Sequence, residues 1–169
     1  MALFPISRTD RLFDARSACA LVALAAALAL GAAFFMQYVV GLAPCPLCIA
    51  QRWPYAAVIV LGLAGLAPGL SPTSRRALLG LAALAFLVGA GIAVYHAGIE
   101  QGWFAGPESC SGIGVTGDSV EELRRRLSAA PVVRCDETPW SLFGVSMAGY
   151  NAAISLMLGA FAATAALRR

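Results

Sequence analysis

The sequence predicts an all-α membrane protein: a bundle of four transmembrane helices with a long extracytoplasmic loop that carries a short helix. Three observations predict it. Sixty per cent of the 169 residues are hydrophobic and only 12% are charged, whereas soluble domains run nearer half apolar and a quarter charged. Four apolar segments stand out, roughly 18–40, 47–66, 77–99 and 142–167, each near the ~20 residues that cross a hydrocarbon core of ~30 Å. The runs are continuous rather than alternating, which is the pattern of helices and not of barrel strands. Four such helices leave too little polar surface for a soluble fold. The whole chain, 1–169, reads as one integral membrane domain. Its net charge of +3 is too small to point to nucleic acid.

The first segment is about 23 residues long, against roughly 7–15 for the apolar region of a secretory signal, so it is expected to stay as an anchor. The third contains GLAALAFLVGAGIA at 80–93, rich in the small residues that let helices approach closely. The connections GLAPCP and APGLSPTSRR are short, while the third connection, about 100–141, is long. Ser119-x-x-Glu122 within it is a capping-box pattern and predicts a short surface helix over 120–127.

All the basic residues are arginine. Arg8, Arg11, Arg16, Arg75, Arg76, Arg168 and Arg169 fall at the two termini and the second connection. Arg124, Arg125, Arg126 and Arg134 fall on the opposite side, among seven acids. The excess of arginine places both termini in the cytoplasm. The long loop and the start of the second span then face outward together.

Five cysteines are present. Cys19 lies inside the first span and reads as a small buried hydrophobe. Cys45, Cys48, Cys110 and Cys135 all fall at or beyond the outer face, away from the reducing cytoplasm. An even outward set reads as two disulfides with three possible pairings, of which 45 with 48 and 110 with 135 is the simplest. A structural staple explains the loop pair, since closing a ring of about 26 residues is worth ~3 kcal/mol. It does not explain the tiny ring from Cys45 to Cys48. A four-cysteine zinc site is the other alternative, although Cys110 and Cys135 are 25 apart rather than at a knuckle spacing.

The surroundings of the Cys-x-x-Cys favour redox chemistry. Pro44 and Pro46 bracket Cys45, and proline at the first helical position starts the second helix at Pro46. Cys48 then lies in the first turn, where unpaired N–H groups and the helix dipole favour an anion and lower a thiol pKa. Arg52 is at i+4 from Cys48, on the same helix face. An arginine inside a span is costly and marks a functional site; the alternative is that it snorkels to the interface. Gln51 and Trp53 are less telling, and Trp53 and Tyr55 read as interface aromatics. A reactive dithiol facing lipid suits a lipid-soluble electron acceptor such as a quinone. The sole histidine, His96, stands toward the outer end of the third span, placed either to satisfy a helix contact or to hydrogen-bond a quinone carbonyl.

CPLCxxxR at 45–52, YHAGIEQGWFAGPESC at 95–110 and CDETPWSLFGVSMAGYN at 135–151 together resemble the disulfide bond formation protein B (DsbB) family, and the resemblance covers nearly the whole chain. It implies a four-helix oxidoreductase of the bacterial inner membrane. Such a protein reoxidises a periplasmic DsbA-like thiol oxidase and passes the electrons to ubiquinone or menaquinone. It implies that Cys110 and Cys135 form the loop disulfide, with Cys110 taking the mixed disulfide with the partner and Cys135 exchanging with Cys45. Cys48 would meet the quinone as a thiolate stabilised by Arg52. Gln51 stands where some members carry an acid. The four-helix, quinone-using vitamin K epoxide reductase-like proteins are a rival, but usually place the Cys-x-x-Cys late in the core.

Overall fold

The computed structural model describes residues 14–107, 110, 120 and 133–168. It contains four helices long and apolar enough to cross a membrane, Ala15–Tyr38, Pro46–Gly65, Pro72–Glu100 and Met147–Leu167. Helix α1 is Ala15–Tyr38. The second span is made of α2 (Pro46–Ala50) and α3 (Arg52–Gly65), and the third is α4 (Pro72–Glu100). A hairpin of β1 (Ser141–Leu142) and β2 (Val145–Ser146) leads into α5, Met147–Leu167. The protein is therefore a four-helix membrane bundle. The helix predicted over 120–127 lies, apart from Val120, outside the described residues, as do Arg8, Arg11 and Arg124–Arg126.

Each helix start has a local cause. Asp14 caps α1, accepting from the backbone N–H of Arg16 and Ser17. Ser71 caps α4 and Pro72 follows at the first helical position, so α4 begins several residues before the apolar run at 77. Its first turn carries Arg75, which donates to the backbone carbonyls of Gly65 and Ala67. Those are carbonyls at the end of α3, which has no later turn to satisfy them. The break between α2 and α3 falls at Gln51. Pro54 has no N–H for the carbonyl of Ala50, and its ring crowds that carbonyl.

The fourth span begins at Met147 rather than 142, because 141–146 is taken by the hairpin. Ser141 pairs with Ser146 and Leu142 with Val145. Phe143 and Gly144 both have positive φ, 50° and 77°, the backbone of a two-residue hairpin turn that matches strand twist. Ser146 then caps α5, accepting from Gly149 N–H, and its hydroxyl donates to the Glu100 carboxylate. The end of α4 and the start of α5 are tied together at this point.

Small residues set the helix spacing. A Cβ on Gly62 would lie 2.7 Å from both the Cys19 carbonyl oxygen and the Ala23 Cβ, so α1 and α3 touch backbone to backbone. Gly159 admits the Phe86 Cβ in the same way, at 3.3 Å from where its own Cβ would stand. The main core is Ala18, Cys19, Val22, Val58, Leu79, Phe86 and their neighbours. It occupies the end of the bundle away from the other cysteines. The outward faces stay apolar, with Leu28, Val60, Leu84 and Met157 all exposed, as lipid-facing surfaces require.

Candidate functional site

At the opposite end a second buried cluster gathers Cys45, Cys110, Cys135 and Ile99, with Leu47, Cys48 and Val133 packed on it. All four cysteines predicted to be functional thus meet in one place, although Cys45 and Cys135 are far apart in sequence. Cys110 and Cys135 are joined by a disulfide, and Cys135 N–H donates to the Cys110 carbonyl at 3.2 Å. Cys45 and Cys48 are free thiols with their sulfurs 2.8 Å apart, from which positions a disulfide closes with little movement. The disulfide between Cys110 and Cys135 leaves no four-cysteine set for a metal ion.

The helix terminus serves a different sulfur from the one expected. Cys45, not a residue of the first turn, is the N-cap of α2. Its sulfur accepts from Cys48 N–H at 3.2 Å and lies 3.6 Å from His96 Nε2. The Cys45 thiol is pushed well below the ordinary thiol range. The chief cause is the hydrogen bond from the Cys48 thiol, with His96 and the Cys48 N–H adding to it against the cost of burial. The reason for the difference is geometric. Pro46 starts the helix, so the side chain that folds back over the free N–H groups is that of the preceding residue.

Arg52 reaches α1. Its Nη1 donates to Gln37 Oε1 at 2.6 Å, and its guanidinium carbon lies 4.9 Å from the centre of the Phe34 ring. Its Nε is buried and makes no hydrogen bond among the described residues. Arg52, Cys48 and His96 line one cavity of about 380 Å³ whose walls are otherwise largely apolar, including Met36, Tyr150 and Ile154. That volume is in the range of small-molecule sites, and the composition, apolar with a few convergent polar groups, is theirs as well.

Sequence reasoning missed the polar layer behind the dithiol. Gln51 is buried, and its amide nitrogen is 2.8 Å from His96 Nδ1. Asn151 Nδ2 donates to Gln51 Oε1, and Tyr55 O–H donates to Asn151 Oδ1. Tyr55 is 5% exposed and stacks edge-on against Phe86, so it is a core residue and not the interface aromatic its sequence position suggested. Trp53, at 73%, is exposed. Glu100, counted from sequence among the loop acids, is the last residue of α4, with its side chain 2% exposed and Oε1 3.9 Å from His96 Nε2. The signal for Asn151 and Ser155 was available: two polar residues at i, i+4 inside a span.

The comparisons with known proteins settle the family. The family model for Disulfide bond formation protein DsbB matches residues 15–165. The chain belongs to the DsbB family. It is 32% identical over 167 residues to Disulfide bond formation protein B of Chromohalobacter salexigens, covering 91% of this chain and 94% of that one. It is 37% identical over 134 residues to Disulfide bond formation protein B 2 of Pseudomonas syringae pv. syringae, covering 75% and 74%. It is 31% identical over 148 residues to Disulfide bond formation protein B of Stutzerimonas stutzeri, covering 81% and 85%. No solved structure matches. Membership makes the chain a multi-pass membrane protein of disulfide bond formation, with a disulfide oxidoreductase role.

Proposed function

We propose that the protein reoxidises a periplasmic DsbA-type dithiol oxidase and passes the electrons to a membrane quinone, ubiquinone or menaquinone. In this reading it sits in the bacterial inner membrane with both termini cytoplasmic. One observation carries the proposal: the loop disulfide and the Cys45–Cys48 dithiol share a buried cluster at the wall of an apolar cavity that also holds a half-buried cation, Arg52.

The residues divide the work as follows. A partner thiolate attacks Cys110, the Cys110–Cys135 bond breaks, and its electron pair leaves on Cys135. The Cys135 thiolate then attacks Cys45 of an oxidised Cys45–Cys48 pair, so the electron pair passes to Cys48. The partner's second thiolate attacks the partner sulfur bonded to Cys110, which closes the partner disulfide and releases the Cys110 thiolate. All three exchanges conserve disulfides and need only a thiolate attacker and a stabilised leaving sulfur. The quinone supplies the terminal oxidation, accepting two electrons and two protons for each partner disulfide made. Arg52 and His96, on the cavity wall beside Cys48, are the residues to hold its head group. Arg52 fits that task because its Nε is buried without a hydrogen bond among the described residues, and an acceptor oxygen would relieve it.

The test uses the full chain purified in detergent, a reduced DsbA-type dithiol and a short-chain ubiquinone. Loss of quinone absorbance that requires Cys48, judged against Cys48→Ala, is the expected result. A folded wild-type protein that reduces neither a ubiquinone nor a menaquinone overturns the proposal.

A further inference from the structure

We propose that Gln51 and Asn151 are positioning residues that hold the imidazole proton of His96 on Nε2, aimed at the Cys45 sulfur. The directions of three hydrogen bonds carry this. An amide nitrogen only donates, so Gln51 Nε2, at 2.8 Å, makes His96 Nδ1 the acceptor. The amide of Gln51 is oriented from behind, because its Oε1 accepts from Asn151 Nδ2. Asn151 is oriented in turn, because its Oδ1 accepts from Tyr55 O–H, and that hydroxyl lies 2.8 Å from Ser155 Oγ. The other face of the ring agrees. Nε2 is flanked by two acceptors, the Cys45 sulfur at 3.6 Å and Glu100 Oε1 at 3.9 Å.

The layer draws on every span except the first. Tyr55 comes from α3, His96 and Glu100 from α4, Asn151 and Ser155 from α5, and Gln51 from the break between α2 and α3. Gln51, Tyr55, His96 and Ser155 are each less than 7% exposed. Water is therefore not at hand to satisfy a group left unpaired. With both amides oriented as they stand, moving the proton to Nδ1 sets N–H against amide N–H and leaves a bare nitrogen facing a sulfur and a carboxylate. Second-neighbour hydrogen bonds choose a histidine tautomer in this way.

The chemical consequence rests on the proposed function; the tautomer itself does not. In the mixed disulfide between Cys135 and Cys45, the Cys110 thiolate attacks the Cys135 sulfur. The Cys110–Cys135 bond forms, the Cys135–Cys45 bond breaks, and the electron pair goes to the Cys45 sulfur. A directed Nε2–H stabilises that anion as it leaves. The same proton covers the lone pair with which His96 would join Cys45 and Cys48 around a metal ion, the three ligand atoms lying within 4.8 Å of one another. The dithiol is thereby kept for exchange.

His96 is the sole histidine, so the ¹⁵N spectrum of full-length protein labelled at histidine, reduced and in detergent, reports on it alone. The expected spectrum has Nδ1 bare and Nε2 protonated. Gln51→Glu keeps the size of the side chain and the acceptor for Asn151 but turns the donor at Nδ1 into an acceptor, and Nδ1 should become protonated. Gln51→Met should slow re-formation of the Cys110–Cys135 disulfide about five- to tenfold, the rate equivalent of one neutral hydrogen bond. A wild-type spectrum with Nδ1 protonated, or one that Gln51→Glu leaves unmoved, overturns the proposal while quinone reduction stands. Nε2 protonation in a wild-type protein that reduces no quinone overturns the functional reading and leaves the tautomer.

Discussion

Replacing Arg52 by Met separates the helix tether seen in the structure from the quinone contact proposed for the same side chain. The guanidinium ties α3 to α1 through Gln37 at 2.6 Å and the Phe34 ring at 4.9 Å. A hydrogen bond to a charged group is worth ~1.5–3 kcal/mol and a cation over a ring ~0.5–2 kcal/mol. Against this stands the cost of holding a half-buried, partly desolvated cation, which offsets much of that gain. Met keeps most of the apolar stem volume, so the change in stability should be within ~1 kcal/mol. If Arg52 also holds a quinone oxygen, losing that one charge-assisted bond costs ~1.5–3 kcal/mol, or about 10- to 100-fold in quinone reduction.

Gln37→Leu is the control, since it removes the tether and keeps the cation. Quinone absorbance followed over a range of quinone concentrations, with unfolding in mixed micelles measured beside it, reads both effects. Arg52→Met should lose activity out of proportion to stability, and Gln37→Leu should not. Equal losses of activity in the two variants would reduce Arg52 to a helix tether and refute its place at the quinone.

Gly62→Ala should destabilise the bundle by ~1–3 kcal/mol, because the added Cβ meets the Cys19 carbonyl oxygen at 2.7 Å and backbone cannot swing aside; unfolding in mixed micelles checks this, with quinone reduction unchanged while the protein is folded. In reduced protein, alkylation of Cys45 should begin at lower pH than that of an ordinary thiol. Cys48→Ala removes the largest stabiliser of its anion. The Cys45 pKa then rises and the alkylation profile moves to higher pH; a profile that stays put or moves down contradicts the hydrogen-bond assignment. Joint replacement of Cys110 and Cys135 by Ala should loosen the loop by ~3 kcal/mol and leave the four spans intact, read as faster proteolysis within the loop with no loss of helical signal.

The spans were legible because lipid imposes a length and a composition on any helix that crosses it. The Cys-x-x-Cys beside a helix-starting proline was legible because both cues are local. Boundaries shifted where a local rule competed with hydropathy. Ser71 and Pro72 start α4 ahead of its apolar run, and the turn at Phe143–Gly144 delays the start of α5. The sulfur that caps the helix is that of Cys45 rather than Cys48 for a similar reason: a proline at the first helical position makes the residue before it the cap.

By itself, then, the sequence determined a four-helix membrane protein, the functional cysteines beside the start of its second span and the family to which it belongs. Tertiary structure alone decided which groups face one another across the bundle. Gln51, Tyr55, His96 and Asn151 are spread over three spans, and nothing local marks them as partners. They become one directed chain of hydrogen bonds because close helix packing excludes water, and each buried donor must then find its acceptor on a neighbouring helix.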